Sequence, residues 1–308
     1  MEKYLNKFLS IFVFLFIIQF CIKNNRALPF NGIINNLIWE PLSKLLPFDL
    51  MNKLFFNAVI FNSESPFGGS GDTTSEFIIF FAIILTSIIC TIFLFTIPKI
   101  REIKFEVLNY LILRYYLAFI MIYYGFAKMF SLQFSQFDLL TLTTTYGESS
   151  PMELAWAYFG YSHSYQFFIG FLEVLSFFLL FRRTATFGAL ITLVMTINIV
   201  AVNYFFDIPV KLFSSILLFF TIGLLSKDLK TIFMFLFSGN YVSLKTKPYN
   251  FADTNRLPIY LVAIKTVLIV FYFFSTISAL SSKKFKFDAI SKIQPTMYGS
   301  YTILKQNF

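Results

Sequence analysis

The sequence predicts an all-α, polytopic membrane protein with about seven transmembrane helices. Of its 308 residues, 57% are hydrophobic and only 13% are charged, whereas a soluble domain of this size needs about a quarter of its residues charged. The mean hydropathy is +0.71. The apolar residues are also gathered into runs of roughly 20 residues, the length that crosses a bilayer as a helix. The apolar surface is therefore expected to face lipid.

Seven apolar runs are candidate membrane spans. They cover residues 5–22, 77–97, 110–130, 164–181, 185–204, 210–225 and 258–280. The fourth and sixth runs are short, so we expect these helices to be tilted or partly shielded from lipid. The first run follows Lys3 and Lys7, as in a signal peptide, but no small-x-small cleavage motif comes after it. We therefore interpret residues 1–26 as an uncleaved signal-anchor helix.

Basic residues in the short loops predict the orientation of the chain, because Lys and Arg are concentrated on the cytoplasmic side of membrane proteins. Lys99 and Arg101 follow the second span, and Arg182 and Arg183 follow the fourth. By contrast, residues 131–163 contain neither Lys nor Arg. We predict a cytoplasmic amino terminus and, with seven spans, an external carboxyl terminus. The lysines of the carboxyl-terminal tail argue mildly against this orientation.

Two predicted external loops contain candidate functional motifs. The first loop, residues 27–76, is expected to hold helical pieces at the membrane interface and ends in a Gly-rich turn; the second is residues 131–163. The candidate loop residues are Asp72, Thr73, Tyr146, Gly147, Glu148 and Ser149. On the cytoplasmic side, the apolar segment 229–237 is expected to lie along the membrane surface.

Four ionisable residues lie within the predicted spans, where each is costly and therefore a candidate for function. They are Arg114, Lys128, Glu173 and Lys265. The stems of Arg114 and Lys265 are long enough to reach the cytoplasmic interface. Glu173 lies near the middle of its span, about 13 Å deep at roughly 1.5 Å per residue. Its side chain is too short to reach bulk water, so it must be protonated, paired or open to a water-filled cavity.

The depths of Lys128, Glu173 and Asn198 predict that they could meet in the outer half of the bundle. Tyr124, on the Lys128 face of the same span, and the residues of the outer turn between the fifth and sixth spans extend this intramembrane polar cluster. Its members are Tyr124, Lys128, Glu173, Asn198, Asn203, Asp207 and Lys211. Gly170, one turn before Glu173, would let a neighbouring helix or a ligand approach closely. The alternative is that Lys128, Glu173 and Asn198 only hold the helices together, because interhelical polar contacts are ordinary in membrane bundles. The sequence leaves both interpretations open.

The scarcity of histidine and cysteine excludes several kinds of site. His163 is the only histidine, so bis-histidine haem ligation and multi-histidine zinc sites are impossible within this chain, and we predict no metal site. Cys21 and Cys90 form no C-x-x-C pair, which disfavours thioredoxin-like exchange. The formal charge of +9 is distributed among the loops, so membrane topology explains it better than nucleic-acid binding does.

Several short motifs between residues 114 and 228 occur in the order and spacing of a known family. They are residues 114–119, 124–128, 146–152, 160–162, 173–175, 181–190 and 203–212. In these motifs the chain resembles the DoxX-like family of bacterial integral membrane proteins. A long subgroup is more similar still, because its external loop and carboxyl-terminal tail are matched by residues 69–74 and 297–301.

The resemblance implies a four-helix membrane core made by the third to sixth spans, located in the bacterial cytoplasmic (inner) membrane. Some relatives in that family are associated with quinone-linked oxidation, so a quinone is the cofactor that the resemblance implies. The expected organisation of the chain is a signal anchor, an external interfacial loop, a second span with a cytoplasmic loop, the DoxX-like core, a further cytoplasmic loop, and a seventh span with an external tail. The corresponding ranges are 1–26, 27–76, 77–104, 105–228, 229–257 and 258–308.

Three functional hypotheses remain open at this point, and the sequence does not decide whether the chain is an enzyme. In the first, the chain is a redox-linked membrane subunit in which Tyr124, Lys128 and Asn198 donate hydrogen bonds to a quinone and Glu173 exchanges protons. In the second, the same cavity binds or transports a small solute or lipid, with Glu173 as the proton-coupling carboxylate. In the third, the external loops and tail dock an envelope or redox partner protein, and the chain is a non-catalytic scaffold or assembly subunit.

Overall fold

The computed structural model describes residues 2–56, 71–134, 139–237 and 259–291. Within these ranges all regular structure is helical and no strand occurs. Six of the helices are long and apolar enough to cross a membrane. The prediction of an all-α, multi-pass membrane protein is confirmed.

We label the main helices in chain order. They are α1 (Glu2–Lys23), α2 (Thr74–Phe95), α3 (Phe105–Met129), α4 (Pro151–Tyr161), α5 (His163–Val174), α6 (Ala185–Phe205), α7 (Lys211–Leu225), α8 (Leu229–Phe237) and α9 (Ile259–Ser291). A 3₁₀ helix, Leu175–Leu180, continues α5 to membrane length. Shorter helical pieces occupy the loops: Asn31–Ile34, Asn35–Trp39, Glu40–Leu45, Phe48–Met51, Asn52–Phe56, Pro98–Arg101 and Leu139–Thr143.

Six of the seven predicted spans correspond to the membrane-length helices, and the remaining one is α7. With 15 residues, α7 is about 22 Å long, shorter than a hydrocarbon core of about 30 Å. A predicted count of seven full-length spans is therefore not confirmed. Helix α7 nevertheless runs antiparallel to α3: its first residue, Lys211, contacts Asp72 in the loop before α2, and the Lys227 ammonium beyond its end lies 5.7 Å from the Tyr110 ring near the start of α3.

Ion pairs at both ends of α1 set the relative directions of the first three long helices. Near the amino terminus, the Lys7 ammonium lies 3.8 Å from the Glu106 carboxylate at the start of α3. At the other end, Lys23 pairs with Glu76 in the first turn of α2. Helices α1 and α3 are thus parallel, and α2 is antiparallel to both. Which of the two sides is cytoplasmic remains a prediction from the basic loops.

Aromatic packing forms the centre of the bundle between α1, α3 and α7. The Phe20 ring lies 5.4 Å from Phe220 and 6.4 Å from Tyr116, and the three side chains are almost fully buried. Since lipid is as apolar as these side chains, close packing and polar contacts hold such helices together in a membrane rather than the hydrophobic effect. A polar example is Gln19 on α1, which donates to Ser87 on α2 at 2.9 Å.

Helices α3 and α5 cross at two glycines, which confirms that Gly170 permits the close approach of a neighbouring helix. A Cβ atom on Gly170 would lie 2.5 Å from the Gly125 carbonyl oxygen, and one on Gly125 would lie 2.6 Å from the Gly170 carbonyl oxygen. No larger residue fits at either position without moving a backbone. The crossing also fixes the register, because Lys128 and Glu173 each follow their glycine by three residues.

Candidate functional site

The centre of the site is a buried ion pair between Lys128 on α3 and Glu173 on α5. The Lys128 ammonium lies 2.7 Å from the Glu173 Oε2 atom, and the two side chains are only 8% and 5% exposed. The predicted meeting of these residues is therefore confirmed. Two charges away from water stabilise each other only if their geometry is good and their other hydrogen-bonding groups are satisfied. A second partner for each is expected in the adjoining cavity.

A cavity of about 470 Å³ lies beside this ion pair, within the range of small-molecule sites in proteins. Its polar lining consists of Lys128, Gln133, Glu173, Asn198 and Asn203. Its aromatic lining consists of Phe134, Trp156, Tyr158, Phe159, Tyr165, Phe168 and Phe206. Helices α3, α4, α5 and α6, with the loops after α3 and α6, thus line one partly open cavity whose other residues are aliphatic.

The amide groups in the cavity have unused hydrogen-bonding capacity. The Gln133 Oε1 atom is buried and has no hydrogen-bond partner among the residues that the structure describes. Asn198 also lines the cavity and makes no side-chain hydrogen bond with another described residue, but its side chain is exposed and does not need a protein partner. Buried polar groups are nearly always paired with protein, water or ligand. The cavity therefore offers donors from Lys128 and Asn198 and acceptors from Gln133 and Glu173 to whatever occupies it.

Helix α4 forms the aromatic cover of the cavity. The Phe134 ring stacks on Phe159 at 4.9 Å and meets Trp156 edge-on at 5.2 Å. A capping box fixes the first turn of α4: the Ser150 hydroxyl accepts from the Glu153 backbone, and the Ser150 backbone donates to the Glu153 carboxylate at 2.7 Å. These hydrogen bonds, led by the one from the Ser150 backbone, lower the pKa of Glu153.

The end of α3 is held beside the start of α5 by a serine in a conformation that usually requires glycine. Ser131 has a left-handed backbone (φ 52°), and its N–H donates to the Lys128 carbonyl while the Leu132 N–H donates to that of Ala127, both at 2.8 Å. This pattern is a Schellman cap. A side chain at such a position costs about 1–2 kcal/mol. A glycine would avoid this cost, but it would lack the Ser131 hydroxyl, which hydrogen-bonds the His163 Nδ1 atom at 2.8 Å and links the end of α3 to the start of α5.

The remaining members of the predicted polar cluster lie apart from the cavity. Tyr124 packs against Tyr123, with ring centroids 5.6 Å apart, and does not line the cavity. Asp207 ends α6 with a left-handed backbone (φ 49°). Its carboxylate accepts from the Lys211 ammonium at 2.6 Å, and the Asp207 side chain is 81% exposed. Asp207 and Lys211 therefore make an external pair with each other rather than contributing to the buried pair.

The candidate loop residues mostly cap helices. The Asp72 carboxylate accepts from the backbone N–H groups of Lys211 and Leu212 at 2.7 and 2.9 Å, so it caps α7 across the fold. The Thr73 hydroxyl accepts from the Glu76 backbone at the start of α2. These contacts give both residues a structural role.

The second loop motif is built around Thr145. The Glu148 carboxylate accepts from the Thr145 hydroxyl at 2.9 Å, and the Ser149 hydroxyl donates to the Thr145 carbonyl at 3.2 Å. Tyr146 and Gly147 are exposed. This turn delivers the chain into α4 and thereby positions the aromatic cover.

Sequence reasoning missed the contribution of Gln133 and of the aromatic residues of α4 to the cavity. A signal was present: the segment 131–163 carries no basic residue and has a dense aromatic stretch around Trp156. Of the other two intramembrane cations, Arg114 is 4% exposed, and Lys265 donates to the Leu180 carbonyl at 2.6 Å. Neither lines this cavity.

The helices and the partly open cavity define the chain as a multi-pass integral membrane protein. Over 116 residues it is 41% identical to the uncharacterized protein YwoB of Bacillus subtilis (strain 168), a match that covers 37% of this chain and 73% of that protein. The chain therefore belongs to the same family as YwoB. No family model and no solved structure matches it. Since the relative's name carries no activity, function has to be argued from the site.

Proposed function

We propose that the chain is a DoxX-like membrane protein that binds a quinone head group beside Lys128 and Glu173 and acts as a redox-linked membrane subunit. One observation carries the proposal: a buried ion pair shares its cavity with the Gln133 amide, whose buried oxygen lacks a partner among the described residues. The motif resemblance between residues 114 and 228 supports it independently.

The polar groups of the cavity suit both oxidation states of a quinone. The carbonyl oxygens of a quinone accept hydrogen bonds, and Lys128 has two N–H bonds beyond the one directed at Glu173. The Asn198 amide is a second donor. The hydroxyl groups of a quinol donate instead, and the unpartnered Gln133 oxygen and the Glu173 carboxylate can accept them. The aromatic walls suit a flat ring and the first part of an isoprenoid tail.

The chemistry supported by this arrangement is proton handling. Conversion of a quinone to a quinol takes up two electrons and two protons. We assign the electrons to a redox partner protein and the protons to a path through Lys128 and Glu173. The ion pair can release a proton from the ammonium to a ligand oxygen, and the carboxylate beside it favours the return of a proton from outside. The chain would lie in the cytoplasmic membrane with its amino terminus inside.

A second candidate function, proton-coupled binding or transport of a small solute, is favoured by a different observation. The helix that carries Glu173 changes from α to 3₁₀ geometry two residues later, over Leu175–Leu180. A 3₁₀ stretch within a helix often marks a hinge. A hinge beside a buried carboxylate would let the cavity change its opening when the carboxylate binds a proton.

The two tryptophans of the chain allow a direct test of quinone binding. Trp156 lines the cavity, whereas Trp39 is buried in a separate cluster with α2. In the Trp39→Phe protein, a short-chain quinone should quench the Trp156 emission saturably. The Trp156→Phe protein, which keeps Trp39, is the control and should show only linear, non-specific quenching.

Variants in the polar wall locate the site. In the Trp39→Phe background, Glu173→Gln removes the carboxylate that orients the charged Lys128 donor and should weaken the saturable quenching about 10-fold or more, since a hydrogen bond to a charged group contributes roughly 1.5–3 kcal/mol. Asn198→Leu removes an uncharged donor and should weaken it about 2- to 10-fold, since a neutral hydrogen bond contributes roughly 0.5–1.5 kcal/mol. Equal, linear quenching of both tryptophans would overturn the quinone proposal. In that case, solute-dependent proton uptake into proteoliposomes that Glu173→Gln abolishes would support the transport candidate.

A further inference from the structure

A second polar site lies between α3 and α9, far from the cavity described above. Arg114 precedes Lys128 on the same helix by 14 residues, which is about 21 Å along the helix axis. Its neighbours at this level are Tyr115 and Lys265. The cluster of Arg114, Tyr115 and Lys265 therefore belongs to the opposite half of the bundle, the half predicted to be cytoplasmic.

The two cations of this cluster surround one tyrosine. The Arg114 guanidinium carbon lies 5.0 Å from the Tyr115 ring centre, and its Nη2 atom donates to the Tyr115 hydroxyl at 3.3 Å. The Lys265 ammonium lies 5.4 Å from the same ring centre. The Arg114 Nε atom is buried and has no hydrogen-bond partner. Two positive charges thus lie beside the same tyrosine ring, and one N–H donor of Arg114 has no partner among the described residues.

Neither cation has a carboxylate partner within the described residues, in contrast to other intramembrane cations. Lys23 and Lys128, for example, each form an ion pair. Arg114 has only aromatic and hydroxyl neighbours, and Lys265 adds one backbone carbonyl. An uncompensated charge buried at a membrane helix is costly. The site therefore has the electrostatic character of a receptor for an anion.

An apolar groove leads away from the cluster along α9. Its volume is about 390 Å³. Tyr115 and Lys265 lie in its polar part, and its remaining lining is apolar or aromatic: Pro29, Phe30, Phe119, Ile264, Leu268, Ile269, Phe271 and Tyr272. The Tyr272 hydroxyl donates to the carbonyls of Ala27 and Phe119 at 2.7 and 3.0 Å, which fixes α9 against α3 at the far end. The hydrogen bonds of Tyr272 therefore fix the separation of α3 and α9 at this end of the groove.

We propose that this groove binds an anionic glycerophospholipid, with its phosphate against Tyr115 and Lys265 and one acyl chain along α9. Arg114 does not line the groove; it lies behind Tyr115, to whose hydroxyl it donates, and adds its positive charge from there. The positive charge of the cluster favours an anionic ligand, and the apolar groove that continues from it favours a ligand with an acyl chain. Free phosphate would satisfy the first requirement alone. Basic pockets between helices on the cytoplasmic side suit phospholipid head groups, and α9 exposes apolar side chains such as Leu268 and Phe271 next to the groove.

Native mass spectrometry of the full chain in detergent, with phosphatidylglycerol or phosphatidylcholine of identical acyl chains, tests this proposal. The wild type should retain phosphatidylglycerol preferentially, and Lys265→Gln and Arg114→Gln should each reduce that retention at least about tenfold. The control is Lys284→Gln, because Lys284 is also on α9 but pairs with Asp288 at 2.9 Å; it should retain the lipid as the wild type does.

A variant of the apolar wall keeps the test decisive if a charge variant fails to fold. Leu268→Trp should fill the groove and reduce lipid retention while leaving the cations in place. Equal retention by the wild type and all site variants would overturn the proposal, as would an equal loss in Lys284→Gln. Retention of inorganic phosphate alone, abolished by Lys265→Gln, with no preference between the two lipids, would also overturn it, because the site would then take a free anion.

Discussion

The buried ion pair between Lys128 and Glu173 is expected to contribute strongly to the free energy of unfolding. At 2.7 Å and an effective dielectric constant of about 20, the attraction between two unit charges is about 6 kcal/mol before desolvation is subtracted. Removing one partner leaves the other as an isolated buried charge, which typically costs about 3–5 kcal/mol. We therefore expect Lys128→Met alone to lower the free energy of unfolding by about 3 kcal/mol or more, a factor of roughly 100 in the unfolding equilibrium.

The double variant Lys128→Met, Glu173→Leu should regain most of that loss. Replacing both members of a buried pair by apolar residues of similar volume is often neutral or stabilising. With about 3 kcal/mol lost in each single variant and about 1 kcal/mol in the double variant, the coupling energy of the cycle should be about 5 kcal/mol. This is much larger than that of the external pair Asp207–Lys211, for which an exposed i,i+4 pair predicts about 0.3–0.5 kcal/mol. The assay is reversible unfolding in mixed micelles, with fluorescence and circular dichroism as probes.

Additive effects of the two single substitutions would contradict a stabilising ion pair. If the two single substitutions are additive, with a coupling energy near zero, then Lys128 and Glu173 do not stabilise each other in the folded protein. If the double variant folds well but no longer binds the ligand, the pair is retained for binding rather than for packing. This outcome separates the two interpretations that the sequence left open.

Three further predictions concern the scaffold around the site. Gly170→Ala should lower the free energy of unfolding by about 1–3 kcal/mol, since its Cβ would overlap the Gly125 carbonyl oxygen at 2.5 Å; Gly223→Ala, with no atom within 4 Å of its Cβ, is the control and should be neutral or stabilising in the same unfolding assay. Asp72→Ala removes two hydrogen bonds to the first turn of α7 and should cost about 1–2 kcal/mol; an unchanged unfolding midpoint would contradict its role as a cap. For Glu153, hydrogen bonds in the capping box lower the pKa, so its contribution to stability is present above the ordinary glutamate value of about 4.3 and is lost as the pH falls through the lower folded pKa. The stability difference between the wild type and Glu153→Gln should therefore be constant near neutral pH and shrink only in acid, whereas a difference that grows in acid would contradict this.

Depth along the helices could be predicted from the sequence, but rotation about their axes could not. The rise per residue was enough to bring Lys128 and Glu173 to one level, and the small side chain of Gly170 was enough to predict a close approach. The same argument placed Tyr124 in the cluster, because it lies one turn from Lys128. In the structure Tyr124 packs against Tyr123 and does not line the cavity, although it interacts electrostatically with Glu173. Which face of α3 meets the cavity depends on the packing of all its neighbours.

Contacts between distant segments were also beyond the sequence. Asp72 caps α7 from 139 residues away, so the Asp72 motif was taken for a functional loop rather than a cap. Gln133 lies outside every predicted span, and it enters the cavity because α4 folds back over the bundle. The short length of α7 was predicted, since the sixth apolar run, residues 210–225, nearly coincides with Lys211–Leu225; only its cap by Asp72 was not.

The measurement that tests the central proposal most directly is mass spectrometry of organic extracts from the purified wild type and Glu173→Gln, with Asp288→Asn as a control variant outside the cavity. If the cavity binds a quinone, the quinone should be enriched over the surrounding lipid in the wild type and the control, and lost in Glu173→Gln while the protein stays folded. Extracts that mirror the bulk lipid in all three proteins would contradict a quinone site beside Lys128 and Glu173.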